Sequence, residues 1–165
     1  MTGILTGRLV LSRIGAADLP ELIVLKADPR VFAQMLGGVR SAQQTVAELA
    51  QELAFWGEHG VGLWTVRPAA GGALLGITGL HARPDGRGLA LRFAFRPEAR
   101  GRGLAAEAAG AALRFAHDHA GLARVVAVAR EENFASRQVL GAIGMVPCER
   151  FVQHGSAMLL YESSR

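Results

Sequence analysis

Arg100, Gly101, Arg102 and Gly103 stand directly ahead of an alanine-rich segment that starts at Leu104, and their types and spacing suit anion binding. The first four backbone N–H groups of a helix have no partner within it, and the helix dipole places about half a positive charge there. An anion can accept those N–H bonds if no Cβ blocks its approach. Gly101 and Gly103 remove that obstruction and allow backbone angles that other residues avoid. Arg100 and Arg102 add charge, and Ala105 and Ala106 keep the first turn slim. The construction suits a pyrophosphate. The plainer alternative is a glycine loop with solvated arginines, since short glycine motifs occur often by chance.

The stretch Gly101 to Ala106, "GRGLAA", also fits a dinucleotide fingerprint, with Glu131 at the end of the next strand. That fingerprint usually opens its domain. Here about 100 residues precede it, and too little chain follows Glu131 for a second nucleotide half. What favours a phosphate is the second segment, "RVVAVAREENFASRQVLGAIGM", which puts Asn133 and Ser136 just past a strand expected beside Leu89 to Phe95. Two adjacent parallel strands that each lead into a helix can splay. The gap would admit a narrow polar chain that bonds to exposed strand backbone and ends in a pyrophosphate.

The elements that hold these residues follow from pattern. Arg8 to Ile14 alternates as a strand, and Ala16 to Asp28 reads as a short helix with Pro20 near its start. Ser41 to Gly60 is a second helix. Ser41 and Gln44 have capping-box spacing, Val46, Leu49, Leu53 and Trp56 form an apolar stripe, and Gly60 ends it. Gly62 to Pro68, Ala73 to Leu80 and Leu89 to Phe95 are strands separated by turns. A helix from about Gly103 to His119 and a strand from Arg124 to Arg130 come next. A helix capped by Asn133 and closed at Gly144 precedes two last strands, around Val146 to Phe151 and Ser156 to Glu162. The class is α/β (α+β), a mixed sheet with helices packed on it.

Composition narrows the function. A 165-residue chain of 50% hydrophobic residues is long enough to bury a core as one domain, residues 1–165. No apolar run approaches the roughly 20 residues of a membrane span, and the start lacks a secretory pattern, so a cytoplasmic protein without membrane contact is expected. Cys148 is the lone cysteine, which excludes an internal disulfide and a cysteine-rich metal site; no metal is expected. The net charge of +4 is carried almost wholly by arginine, Lys26 being the only lysine. Aromatics are 6% of residues and the arginines are spread out except from Arg92 to Arg102, so a local anionic ligand is expected rather than nucleic acid.

On these segments the chain resembles the GNAT superfamily of N-acetyltransferases, in the branch of the ribosomal-protein alanine acetyltransferases. Arg100-Gly101-Arg102-Gly103-Leu104-Ala105 matches the superfamily's Arg/Gln-x-x-Gly-x-Gly/Ala loop, and Gly103 to Met145 is similar to the helix, strand and Asn-x-x-Ser helix that follow it. The segments "LTGRLVLSRIGAADLPEL" and "HGVGLWTV" resemble that branch more weakly. The resemblance implies a mostly antiparallel sheet of about seven strands with four helices and a V-shaped splay between two parallel strands. It implies acetyl-CoA as cofactor, bound by the Arg100 to Ala105 loop with its pyrophosphate on Gly101 to Ala105, its pantetheine along Phe93, Ala94 and Phe95, and Asn133 and Ser136 beside that arm. Backbone N–H groups of Ala94 and Phe95 would stabilise the oxyanion. The acceptor would be a primary amine on a peptide N-terminus or a small molecule, and the last two strands are candidates for pairing in a homodimer.

Two departures bear on catalysis. Ala90 stands where relatives often carry a glutamate base, and Leu140 stands where many carry an acidic tyrosine. Ser136 is the substitute proton donor this branch suggests; its alternative role is a first-turn serine bonded to backbone. His81 and His154 are candidate bases, as are Glu58 and His59, whereas His117 and His119 suit a structural role at a helix end. Met35, Trp56, Trp64 and His81 are candidate acceptor-site residues, with the tryptophans also suited to the core. Cys148 is expected to pack rather than react. The missing glutamate and tyrosine motivate an alternative from another class, a degenerate CoA-binding or interaction module.

Overall fold

Eight strands form one sheet in the order β1-β2-β3-β4-β5-β6-β8-β7. The computed structural model describes residues 3–165; Met1 and Thr2 of the expected domain lie outside the described residues. Strands β1 (Gly3–Leu5), β2 (Leu9–Arg13), β3 (Leu63–Pro68), β4 (Gly76–Ala82) and β5 (Leu89–Phe95) pair antiparallel in sequence. Strand β6 (Arg124–Arg130) runs parallel to β5, and β8 (Ser156–Ser164) and β7 (Val146–Gln153) complete the sheet antiparallel. The helices are α1 (Leu19–Ala27), α2 (Pro29–Phe32), α3 (Ala42–His59), α4 (Leu104–Arg114) and α5 (Phe134–Ala142). Strand β1 and helix α2 exceed the expected count of seven strands and four helices. They span three and four residues, too short to show a period.

Helix α3 begins with the expected capping box. Gln44 N–H donates to Ser41 Oγ at 3.1 Å, Ser41 N–H donates to Gln44 Oε1 at 2.8 Å, and Gly60 ends the helix at φ 67°. Its buried face differs from the expected stripe. Leu49 and Trp56 are buried, but Val46 is 50% and Leu53 42% exposed, while Thr45 is buried. The face is rotated because Lys26, fully buried on α1, draws Glu48 and Glu52 toward it, each 2.9 Å from Nζ.

Helix α4 buries Ala108, Ala109, Ala111 and Ala112, whose short side chains let it lie close on the sheet. Past Arg114 it widens into a π turn, Phe115–His119. Phe115 meets Trp64 edge-on at 5.0 Å, and Trp64 meets Trp56 edge-on at 4.8 Å, which makes an aromatic centre to the core. His117 ties that turn to its surroundings, its ring nitrogens 2.7 Å from Leu122 O and 2.8 Å from Ser163 Oγ. Among the described residues no helix is long and apolar enough to cross a membrane.

The feature that positions the site is the β5–β6 pair. Its register holds Ala90 opposite Val126 and goes no further, although each strand is seven residues long. Beyond that bridge the strands separate toward Phe95 and Arg130. The backbone of β5 shows which groups face the gap. Arg96 N–H donates to Leu75 O on the β4 side, and Ala94 sits opposite Ile77 with its carbonyl toward Gly76. Strand alternation therefore turns the amides of Phe93 and Phe95 to the gap and that of Ala94 to β4.

Candidate active site

A cleft of about 1050 Å³ runs along the separated strands and gathers most of the residues singled out above. Phe93, Ala94, Phe95, Arg100, Gly101, Gly103, Leu104, Ala105, Asn133, Ser136, Met35, His81 and His154 all line it. Arg102 does not. Its side chain is exposed, and its carbonyl accepts a 2.8 Å bond from Arg8 Nη1. Arg8 also pairs with Glu107 at 2.8 Å, which pins the start of α4 to the residue just ahead of β2.

At one end of the cleft the chain forms a glycine loop whose geometry suits an anion, the candidate anion cradle. Gly101 and Gly103 adopt φ 79° and 75°, and Gly103 is the N-cap of α4 without any side-chain cap. The first-turn amides are thus left for an outside acceptor. A Cβ on Gly101 would meet nothing within 4 Å, so its glycine answers the backbone angle and the approach of a ligand rather than a crowded neighbour. Arg100 Nη2 donates to Arg30 O at 2.8 Å, which braces this loop against α2.

The opposite wall is the start of α5. Asn133 Oδ1 accepts from Ser136 N–H at 3.2 Å, so the asparagine caps the helix as the sequence indicates. Arg137 fastens the turn below, donating to Glu131 O at 2.8 Å and to the Tyr161 hydroxyl at 3.2 Å. Tyr161, the single tyrosine, is thereby held in the core away from the cleft. The Ser136 hydroxyl has no hydrogen-bond partner among the described residues, while its amide is taken by the cap. It is half-buried and faces the cleft.

Other expectations fall outside. Trp56 and Trp64 lie in the core, where Trp56 Nε1 donates to Leu63 O at 2.8 Å, and neither lines the cleft. Glu58 and His59 end α3 away from it. Cys148 does not pack: it is exposed on β7, the outer strand of the sheet.

Electrostatically the cleft has one sign. Arg30, Arg83, Arg92, Arg100 and Arg130 line it, and among the described residues no Asp or Glu does. His81 registers this field. Burial first, then the charges of Arg92 and Arg83, hold its pKa down to about 3, so the ring is neutral near pH 7. Sequence reasoning missed Arg83 as a lining residue and noticed Arg92 only within an arginine-rich run. Nothing in the alternation of β5 distinguishes an arginine facing solvent from one facing a cleft.

The anion cradle, the splayed strands and the capped second helix meet in one cleft, and the sequence over residues 8–146 matches the acetyltransferase (GNAT) domain family. The chain belongs to the GNAT acetyltransferase family. It is similar to a GNAT-family acetyltransferase from Bordetella pertussis, at 24% identity over 99% of this chain and 100% of that one, with a TM-score of 0.87. It is also similar to a ribosomal-protein alanine acetyltransferase from Vibrio fischeri, at 14% identity over 99% and 97% of the two chains and a TM-score of 0.83. RimL, a ribosomal-protein alpha-N acetyltransferase solved in complex with coenzyme A, aligns at 13% identity over 98% and 96%, with a TM-score of 0.79. No protein of curated function matches the sequence significantly. These structures share the GNAT fold with the chain, and family membership makes it an N-acetyltransferase. The GNAT sheet here has eight strands, one more than the resemblance implied.

Proposed function

We propose that this GNAT enzyme transfers an acetyl group from acetyl-CoA directly to a primary amine, in a reducing, cytoplasmic setting. The observation that carries the reading is the uncapped start of α4 opening into the same cleft as the unpaired β5 amides. The residues present fit the donor. The Gly101–Ala105 loop and Arg100 would hold its diphosphate, and the β5 edge with Asn133 would hold its pantetheine arm. Bound there, acetyl-CoA supplies an activated thioester.

The chain's own residues then have defined tasks. The amides of Phe93 and Phe95 point into the gap, where fixed donors stabilise negative charge on an acyl oxygen more than water does. Two strand residues apart, about 6.8 Å, these amides cannot share one oxygen; that of Phe93, nearer the closed end of the splay, takes the acyl oxygen and that of Phe95 the pantetheine arm, while the amide of Ala94, implied by the resemblance, faces β4. The amine nitrogen bonds the acyl carbon as the carbon–sulfur bond breaks. The unpartnered Ser136 hydroxyl gives its proton to sulfur and regains one from the amine's surplus proton through water. Among the described residues no carboxylate lines the cleft, and His81 at a pKa of about 3 is a weak proton acceptor near pH 7. Of the candidate bases, His154 on the cleft wall and water are left to take the amine's proton.

Calorimetry with coenzyme A, followed by thiol release from acetyl-CoA across a panel of amines, tests the reading. Saturable CoA binding with amine-dependent thiol release is expected. CoA binding without turnover on any amine would favour the degenerate binding module instead, for which Ala90 and Leu140 at the usual base and acid positions are the support.

A further inference from the structure

Beneath the far end of the cleft lies an ionic cluster with unequal charges. Lys26, Arg40 and Arg92 contribute three cations against the two carboxylates of Glu48 and Glu52. Lys26 Nζ lies 2.9 Å from both carboxylates, Arg40 Nε lies 2.6 Å from Glu48, and Arg92 Nη2 lies 3.2 Å from Glu52. Glu48 illustrates the balance. Burial favours its neutral form, but hydrogen bonds from Lys26 and Arg40 outweigh burial and hold its pKa below the usual range. Two carboxylates shared among three cations leave one cation uncompensated.

Arg92 is the member that reaches the cleft. Its side chain is 21% exposed, against 0% for Lys26 and 10% for Arg40. Only Nη2 is bonded within the protein. Nε is buried without a partner, as is Glu52 Oε1, so the Arg92–Glu52 pair makes one of the two bonds a fork can make. Nη1 has no partner among the described residues and is not among the buried unpartnered atoms, so it is solvent-accessible on a side chain whose residue lines the cleft.

Position along β5 says what Nη1 would meet. The anion cradle follows Phe95, at the open end of the splay, and Ala90 marks where the splay closes. A chain entering from the cradle brings its far tip toward Leu91 and Arg92, close to that apex. The walls near the apex are His81 on β4 and Arg83 just after it, Gln153 at the end of β7, His154 in the β7–β8 turn, and the 35–38 loop. That loop is tied to the same cluster, because Arg40 donates to Leu36 O at 2.9 Å and to Gly38 O, and its own amide donates to Lys26 O at 2.8 Å. Hence the space beyond the reacting tip is bounded by a spare guanidinium edge and contains no carboxylate.

We propose that the acceptor is a small amine carrying a carboxylate beside its amino group, and that Arg92 receives that carboxylate through Nη1. This rests on the acetyl-transfer reading of the same cleft. An anionic group on the acceptor offsets the uncompensated cation. A purely cationic acceptor such as a polyamine would add charge to a cleft with no anion to receive it. Burial, with the charges of Arg92 and Arg83 behind it, keeps His81 neutral, and the same two influences favour the uncharged, reactive form of an amine held nearby. Arg92 is thus a specificity-determining residue that touches the acceptor.

The test compares α- and β-amino acids with their carboxamides as acceptors, reading kcat/KM by thiol release. Converting carboxylate to carboxamide lowers the amine's pKa and enriches the free base, so intrinsic reactivity runs against the expected result. Carboxylates should win by about tenfold or more, the scale of a charged hydrogen bond. Arg92→Met should bring the ratio close to one while leaving CoA affinity by calorimetry intact. Because Arg92→Met leaves Glu52 with less compensation, Arg92→Met/Glu52→Gln is the second variant, and it should lose the preference equally. Equal use of acids and amides by the wild type, or a preference that survives in the double variant, overturns the proposal while acetyl transfer stands. If CoA binds and nothing turns over, saturable heat from the amino acids alone, absent with the carboxamides, supports it, and heat from neither overturns it. Failure to bind CoA removes the acetyl-transfer reading and this proposal with it.

Discussion

Ala90 pairs with Val126, and past that bridge β5 and β6 part. The bridge fixes how deep a ligand can travel, and the strands on either side remain paired to β4 and β8, so the gap is held open by a complete sheet rather than by a loop. Backbone groups left unpaired in a sheet interior are rare. Their concentration on β5 next to an uncapped helix start is the physical reason the cleft is proposed as the binding site.

The cradle's glycines should therefore be irreplaceable for binding. Gly103 holds φ 75°, and a Cβ there would sit 3.6 Å from Arg8 Nη2, so space permits alanine but the backbone angle does not favour it. Gly103→Ala should lower stability by about 1 kcal/mol, roughly 2–4 °C in Tm, and weaken CoA binding about tenfold as the loop relaxes. Thermal unfolding and calorimetry read the two effects separately. Undiminished CoA affinity would show that the loop does not cradle the diphosphate.

Ser136 has its amide committed to Asn133 and its hydroxyl free. Ser136→Ala should lower kcat by about 100-fold with little change in KM, as removal of a positioned proton donor does. Thiols with lower pKa need less protonation on leaving, so an acyl donor with a more acidic thiol should narrow the gap between variant and wild type. Equal rates for the two enzymes would assign the proton to water.

How far these residues were legible in the sequence depends on the range of the forces that place them. The strands Leu89–Phe95 and Arg124–Arg130 emerge with their expected ends because alternation and bounding turns are local. The α3 capping box and the Asn133 cap likewise need only three residues of context. The buried face of α3 was misread because Glu48 and Glu52, four residues apart, look like a solvated face; only Lys26, 22 residues before Glu48, reveals them as the inner one. Trp56 and Trp64 could be placed in core or cleft on composition alone, and the choice is made by Phe115, over 50 residues downstream, packing edge-on against Trp64. Arg92 became visible only when β4, α3 and the 35–38 loop had closed around it.

His81 links function to stability through pH. Its folded pKa of about 3 lies below the ordinary 6.5, so the unfolded chain binds the proton more readily. The stability His81 confers is complete above pH 6.5 and is lost as the pH falls toward 3. Between pH 7 and pH 5 the loss should reach roughly 2 kcal/mol from this group at about 1.4 kcal/mol per unit below 6.5. Urea unfolding of the wild type and His81→Gln at the two values isolates it: the variant should lose less stability on acidification by about that difference. Parallel losses in both proteins would mean that His81 titrates in the folded state near its ordinary range.

Lys26 is the most exacting test of the ionic cluster. It is fully buried and bridges two carboxylates, Glu52 10% and Glu48 26% exposed. Removing one member of a buried ion pair leaves the remaining charge uncompensated, at about 3–5 kcal/mol. Lys26→Met should therefore lower the urea midpoint by that amount of stability without changing the m-value. Adding Glu52→Gln should recover part of it, since the carboxylate left with only Arg92 at 3.2 Å is gone while Glu48 retains Arg40 at 2.6 Å. A loss below about 1 kcal/mol in the single variant, the range of an exposed pair, would show that water reaches the carboxylates and that the charge excess next to Arg92 is screened.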